Sequence, residues 1–133
     1  MKRNAVRVLF AGFGLLAFGI SAWAHHSFAA VFDADKPITI KGVITQIRLE
    51  NPHSWFFLDV KEASGKTEKW AFEAGTPSGM IRNGFKPGVI KAGVEVTIKG
   101  IRARDMTQNM GMMRELIMPD GTSYGAFGSQ NTQ

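Results

Sequence analysis

The chain contains no cysteine. Disulfides, thiolate metal sites and cysteine nucleophiles are therefore excluded, and the fold must hold by packing alone. Histidine is scarce: the three are His25, His26 and His53. Phosphate-loop, G-x-S-x-G, H-E-x-x-H and dinucleotide fingerprints are all missing. The basic residues Arg82, Lys86, Lys91, Lys99, Arg102 and Arg104 stand singly among Gly and Val, as on solvated strand faces, and build no phosphate cradle. The apolar run from Val8 to Ile20 is too short for a stable membrane anchor.

What is present begins with an export signal. Lys2, Arg3 and Arg7 form a basic start, the run from Val8 to Ile20 follows, and Ala22-Trp23-Ala24 is a small-x-small cleavage signature. Residues 1–24 are expected to be a signal peptide, and taking 24 from the 133 residues leaves 109, enough for one small domain with one core. Removal also changes the charge. The full chain carries a formal +5, but 13 basic and 11 acidic side chains follow residue 24, a balance of +2 that gives no reason for a nucleic-acid partner. The expected location is periplasmic or secreted, with no stable membrane anchor after cleavage.

Residues 25–37 read as a lead-in closed by Pro37. A first strand is predicted over 38–50. Its apolar parity switches from Ile38 and Ile40 to Val43, Ile47 and Leu49, which points to a bulge or bend at Gly42. Strands are predicted over 54–61, with Phe56, Leu58 and Val60 on one face, and over 67–74, with Trp70 and Phe72 on one face; a turn at 63–66 joins them. Thr76 and Pro77 start a short helix whose buried side is Met80, Ile81 and Phe85, and Gly84 stops it. A fourth strand spans 94–103. A polar, Met-bearing loop covers 104–111, and a fifth strand covers 113–118. A turn at Pro119-Asp120-Gly121 leads to a short hairpin strand within 122–127, and residues 128–133 read as a disordered tail. The class is all-β with one short helix. The order βββαββ with a bent first strand is that of a five-stranded OB-like barrel over residues 25–127.

Three groups of residues could carry chemistry. Cleavage after Ala24 makes His25 the chain end. Its α-amine and imidazole can then chelate, and His53 adds a third nitrogen, a set suited to tetragonal Cu(II). A cut after Ala22 would instead place His25 third from the end, another copper-type chelate. In the bland alternative, His53 only hydrogen-bonds the Asn51-Pro52 turn. Met106, Met110, Met112, Met113 and Met118 are soft donors for Cu(I), and Met110 and Met112 share a face if that stretch is extended; their irregular spacing fits packing and gap-filling as well. Glu73, with Trp55 and Trp70 flanking a groove, is the third group. Asp33, Asp35 and Glu50 are further carboxylates, but acid–base catalysis needs two that converge.

The segments His25-His26-Ser27-Phe28, Phe32-Asp33, Asn51-Pro52-His53 with Trp55, and Trp70-Ala71-Phe72-Glu73 resemble an exported bacterial family known as domain of unknown function 6152. Gly75-Thr76-Pro77, Gly84-Phe85, Lys91-Ala92-Gly93 and the Pro119-Asp120-Gly121 turn extend the likeness over almost the whole mature domain. The resemblance implies export and a small β-rich domain, and it brings no activity. The loop from Met106 to Met113 is not part of the family pattern. The expectation is a binding or accessory module of the bacterial envelope. It would hold copper through His25 and His53, with His26, Glu73, Asn51, Trp55 and Trp70 in support. The alternative is a metal-free module that docks an envelope protein or small ligand through an aromatic face or a sheet edge. An enzyme, such as a copper oxidase, is the third and least favoured class.

Overall fold

The computed structural model describes residues 28–126. The predicted signal peptide, His25, His26 and the tail from Gly128 lie outside the described residues. Residues 28–31 are helical, and a compact unit begins at Phe32. No helix among the described residues is long and apolar enough to cross a membrane.

Strand β1 (Phe32–Arg48) is long enough to serve two partners. Its residues 37–43 pair antiparallel with β4 (Glu95–Ala103), and residues 43–48 pair with β2 (Trp55–Lys61). The handover falls at Gly42 and Val43. A Cβ at residue 42 would lie 2.8 Å from the Asp59 carbonyl oxygen and 2.9 Å from Val60 Cγ2, so the close crossing requires glycine. Strand β3 (Thr67–Glu73) follows β2 through a turn at Gly65, whose φ is +85°, a conformation open to glycine. Strand β5 (Met110–Ile117) pairs antiparallel with β4 and parallel with β3, joining Ala71, Phe72 and Glu73 to Met110, Gly111 and Met112. That ladder closes the ring β1-β2-β3-β5-β4, and β6 (Ser123–Gly125) adds a short edge to β5. The ring of five strands with one short helix after the third is the expected OB-like barrel, and β6 extends the expected βββαββ order to βββαβββ.

The helix α1 (Pro77–Arg82) stands between β3 and β4. Thr76 Oγ1 accepts the Gly79 N–H at 3.1 Å, the N-cap read from sequence. At the other end, the N–H groups of Gly84 and Phe85 donate to the carbonyls of Ile81 and Met80, and Gly84 takes φ +93°. This is a Schellman motif, with its usual apolar contact supplied by the buried pair Met80 and Phe85. Phe85 in turn meets Phe56 edge-on at 6.0 Å. The barrel interior holds Ile44, Phe56, Leu58, Trp70, Phe72, Val96, Ile98, Met113 and Leu116.

Four local expectations need correction. The lead-in is strand from Phe32 onward, because its backbone finds β4 as a partner and Pro37 is accepted within the pairing opposite Ile101. The parity of β1 changes at Thr45, not at Gly42: Val43 faces out, Ile44 is buried, and the register skips between Ile44 and Gln46 before Ile47 turns inward. Ile81 is 49% exposed, since a helix this short presents one residue per turn to the core and Met80 takes that place. Met110, Gly111 and Met112 belong to β5 and not to the preceding loop.

The second bulge lies on β5 at Arg114, opposite Lys99 and Gly100. A Cβ on Gly100 would sit 2.0 Å from the Met112 carbonyl oxygen, whereas one on Gly125 meets nothing within 4 Å. Gly100→Ala is therefore expected to cost about 3 kcal/mol or more, and Gly125→Ala less than about 0.5 kcal/mol, in urea unfolding followed by circular dichroism. A second outcome concerns acid. The Ser123 hydroxyl donates to Glu115, and Lys99 Nζ lies 3.3 Å from the same carboxylate. The hydrogen bond from Ser123 first, and then Lys99, hold the Glu115 pKa below its ordinary 4.5 against the opposing effect of partial burial. A carboxyl with a lowered folded-state pKa stabilises above its unfolded pKa and loses that contribution as pH falls through the folded value. Thermal unfolding of Glu115→Gln should therefore show a lower midpoint than the parent at pH 7, and the gap should narrow below about pH 4.5.

Candidate functional site

The link between β1 and β2 is Asn51-Pro52-His53-Ser54, with a cis peptide bond between Asn51 and Pro52. Ser54 anchors it. Its N–H donates to the Gly75 carbonyl at 3.0 Å, and its carbonyl accepts the Ala74 N–H at 2.8 Å, which carries the β2–β3 ladder one step past the strand. Ser54 is buried, as is Phe56, so alternation sends His53 and Trp55 to the outer face of the barrel. Glu73, between buried Phe72 and Ala74, points outward for the same reason. His53 Nδ1 and Glu73 Oε1 are in direct contact there, with side-chain exposures of 37% and 13%. The carboxylate sits on a strand and is largely covered, so it is held in place before any ligand arrives.

The strand register names its neighbours. Arg48, Trp55, Glu73 and Met112 follow one another across β1, β2, β3 and β5 as direct partners. One step along, Phe57, Ala71 and Met110 form a second row. Trp55 and Phe57 stack with centroids 6.4 Å apart and planes at 23°, and the Arg48 guanidinium lies 4.9 Å from the Phe57 centroid. The outer face of β2–β3–β5 is thus an aromatic and thioether surface with one carboxylate–imidazole pair set in it.

Of the residues expected to act together, His53, Glu73 and Trp55 share this face, and exposed Asn51 lies in the adjoining link. Trp70 does not. It faces the barrel interior, 6% exposed and stacked on Phe72 at 5.8 Å, with the Arg102 guanidinium 4.7 Å from its ring. A groove between Trp55 and Trp70 is ruled out, because an odd and an even residue of paired strands end up on opposite faces of the wall. His25 and His26 lie outside the described residues. Asp33 is engaged by Lys36 and Arg104, each at 3.6 Å, while Asp35 and Glu50 are exposed. Among the described residues, no three of His, Cys, Asp and Glu gather around one point. Met113 is in the core, Met118 packs against it, and Met106 receives a hydrogen bond from Arg102 Nε to Sδ at 3.2 Å. An open groove of about 520 Å³ at the bend of β1 is lined by Lys41, Gly42, Val43, Asp59, Lys61 and Glu95, among others, and includes none of the site residues. Two pairings engage its charged lining, Lys41 with Glu95 at 2.9 Å and Asp59 with the neighbouring Lys69 at 3.0 Å.

Arg48, the register partner of Trp55, does not stand out in the sequence, and the expected Met110–Met112 pair gives no sign there that it lies beside Glu73. The Met-Gly-Met spacing sets both methionines on one face only if the stretch is a strand, a condition that the partner strands supply.

No curated protein and no solved structure is a significant match to this chain. Residues 13–112 match the family model described as "Family of unknown function (DUF6152)", a span that takes in His53, Trp55, Glu73, Met110 and Met112. That match covers well over half of the sequence, and the chain belongs to this family.

Proposed function

We propose that this protein is an exported binding module of the bacterial envelope that holds Cu(II) between the processed chain end at His25 and the imidazole of His53. The observation that carries the reading is the contact of His53 with Glu73. A carboxylate at Nδ1 selects the Nδ1–H tautomer, which places the lone pair on Nε2 and aims the ring. Metal-binding histidines are commonly held this way, and a histidine that serves only to hydrogen-bond its own turn has no need of a largely covered strand carboxylate. His25 would contribute its amine and ring, His53 its ring, and Glu73 orientation; His26 would assist. Nitrogen donors of this kind suit Cu(II). The sequence signal described above supports export, and the lack of cysteine leaves nitrogen and thioether groups as the strongest donors available.

A second reading, docking of an envelope partner, draws on the outward, half-exposed stack of Trp55 and Phe57 beneath Arg48. It needs no metal, and it would leave the Glu73–His53 pair without a task.

Calorimetry and electron paramagnetic resonance on protein with an authentic His25 terminus should show one equivalent of Cu(II) bound through nitrogen. His53→Ala should weaken binding by a hundredfold or more. Glu73→Gln should weaken it by about tenfold, the usual scale for a residue that orients a ligand. An added residue before His25 should also remove the tight site. Absence of binding by the processed protein would refute the copper reading and leave the docking surface.

A further inference from the structure

The geometry points to a soft-cation site on the outer face of β2, β3 and β5, in which Met110, Met112 and His53 hold Cu(I) or Ag(I) beside the indole of Trp55. It goes beyond the Cu(II) reading and does not need the chain end, since every donor is a described residue.

Gly111 faces the barrel interior, where a Cβ would lie 2.9 Å from each of the Ile101 carbonyl oxygen, Ile38 Cδ1 and Phe72 Cε1. Met113 is buried in the core. With residues 111 and 113 inside, Met110 and Met112 must both project outward, and their half-buried state agrees. Two residues apart on a strand, their Cα atoms are separated by roughly 6.5 Å, a span that two flexible thioether side chains close onto one ion. The parallel ladder sets Met112 directly beside Glu73, and the antiparallel ladder sets Trp55 on its other side. Adjacent strands lie about 4.8 Å apart, so the indole and the thioether flank the carboxylate within reach of long side chains. The contact of Glu73 with His53 brings an imidazole to the same spot.

Each component favours a soft monovalent cation. Thioethers are uncharged and soft, and with imidazole they select d¹⁰ ions over hard divalent ones. An indole face attracts a cation whose water has been stripped away. A covered carboxylate gains from a positive charge nearby without having to bind it, and it positions His53 as well. The packing alternative for Met110 and Met112 requires that they fill a gap, but the core is already closed on the inner side of β5 by Gly111 and Met113.

The test is anaerobic titration of the protein with Ag(I), and with Cu(I) against a chromophoric chelator, read together with methyl resonances of ¹³C-labelled methionine. One equivalent should move the methyl signals of Met110 and Met112 while those of Met106 and Met113 stay in place. Met110→Leu and Met112→Leu should each lower Cu(I) affinity at least tenfold, and Met106→Leu should not change it. Protein with a blocked His25 amine should keep Cu(I) while losing Cu(II), and Met112→Leu should do the reverse, which separates failure of this site from failure of the Cu(II) reading. Unmoved Met110 and Met112 signals in the parent protein would overturn the proposal even if a variant failed to fold. Unchanged affinity in the Met110→Leu/Met112→Leu double variant would overturn it as well.

Discussion

The three-residue parallel ladder between β3 and β5 is the constraint on which the rest of the molecule depends. Every other strand pair in the ring is antiparallel. The ladder from Ala71, Phe72 and Glu73 to Met110, Gly111 and Met112 turns a meandering sheet into a closed barrel. Closure gives the wall an inside and an outside. Phe72 and Gly111 share the inside and bring the aromatic core against bare backbone, while Glu73 and Met112 share the outside. Slipping that register by one residue would bury the carboxylate of Glu73 and expose Phe72, an exchange whose apolar part alone costs about 2–3 kcal/mol. The outer face is therefore specified by what the core will accept.

Much of the architecture is legible in the residues. Alternation over Phe56-Leu58-Val60, the Thr76-Pro77 helix start and the Gly84 stop are local signals, and local chemistry decides them in the folded chain too. The errors share one origin. Where a residue's direction depends on a partner strand, the chain alone is ambiguous. Val43 and Ile44 are both branched and apolar, and the bulge at Thr45, stabilised by its hydroxyl donating to the Phe57 carbonyl at 3.2 Å, decides which one enters the core. Likewise, a glycine flanked by methionines reads as loop until the barrel supplies a strand on each side of it.

The site was partly legible for the same reason. The corner residues Asn51, Pro52 and His53 stand out in sequence, and so does Glu73, but nothing in a linear spacing of 20 residues says that an imidazole and a carboxylate will touch. Trp70 and Trp55 looked alike as groove residues. Only the odd-versus-even position relative to Glu73 separates them, and that distinction acquires meaning once β2 and β3 are in register. Surface carboxylates tell a simpler story. Asp105 accepts from the hydroxyl and N–H of Thr107, and Asp120 from the N–H of Thr122; these hydrogen bonds lower both pKa values and tie down the turns after β4 and β5.

The opposite orientation of Trp55 and Trp70 has an optical consequence. One indole stands at the rim of the proposed site, half open to solvent, and the other is sealed within the barrel under Arg102. Iodide or acrylamide in the medium would dim the emission of the first long before it reached the second. Among the described residues the two indoles thus have separate uses: the emission of Trp55 follows events on the outer wall, and that of Trp70 reports whether the interior is intact.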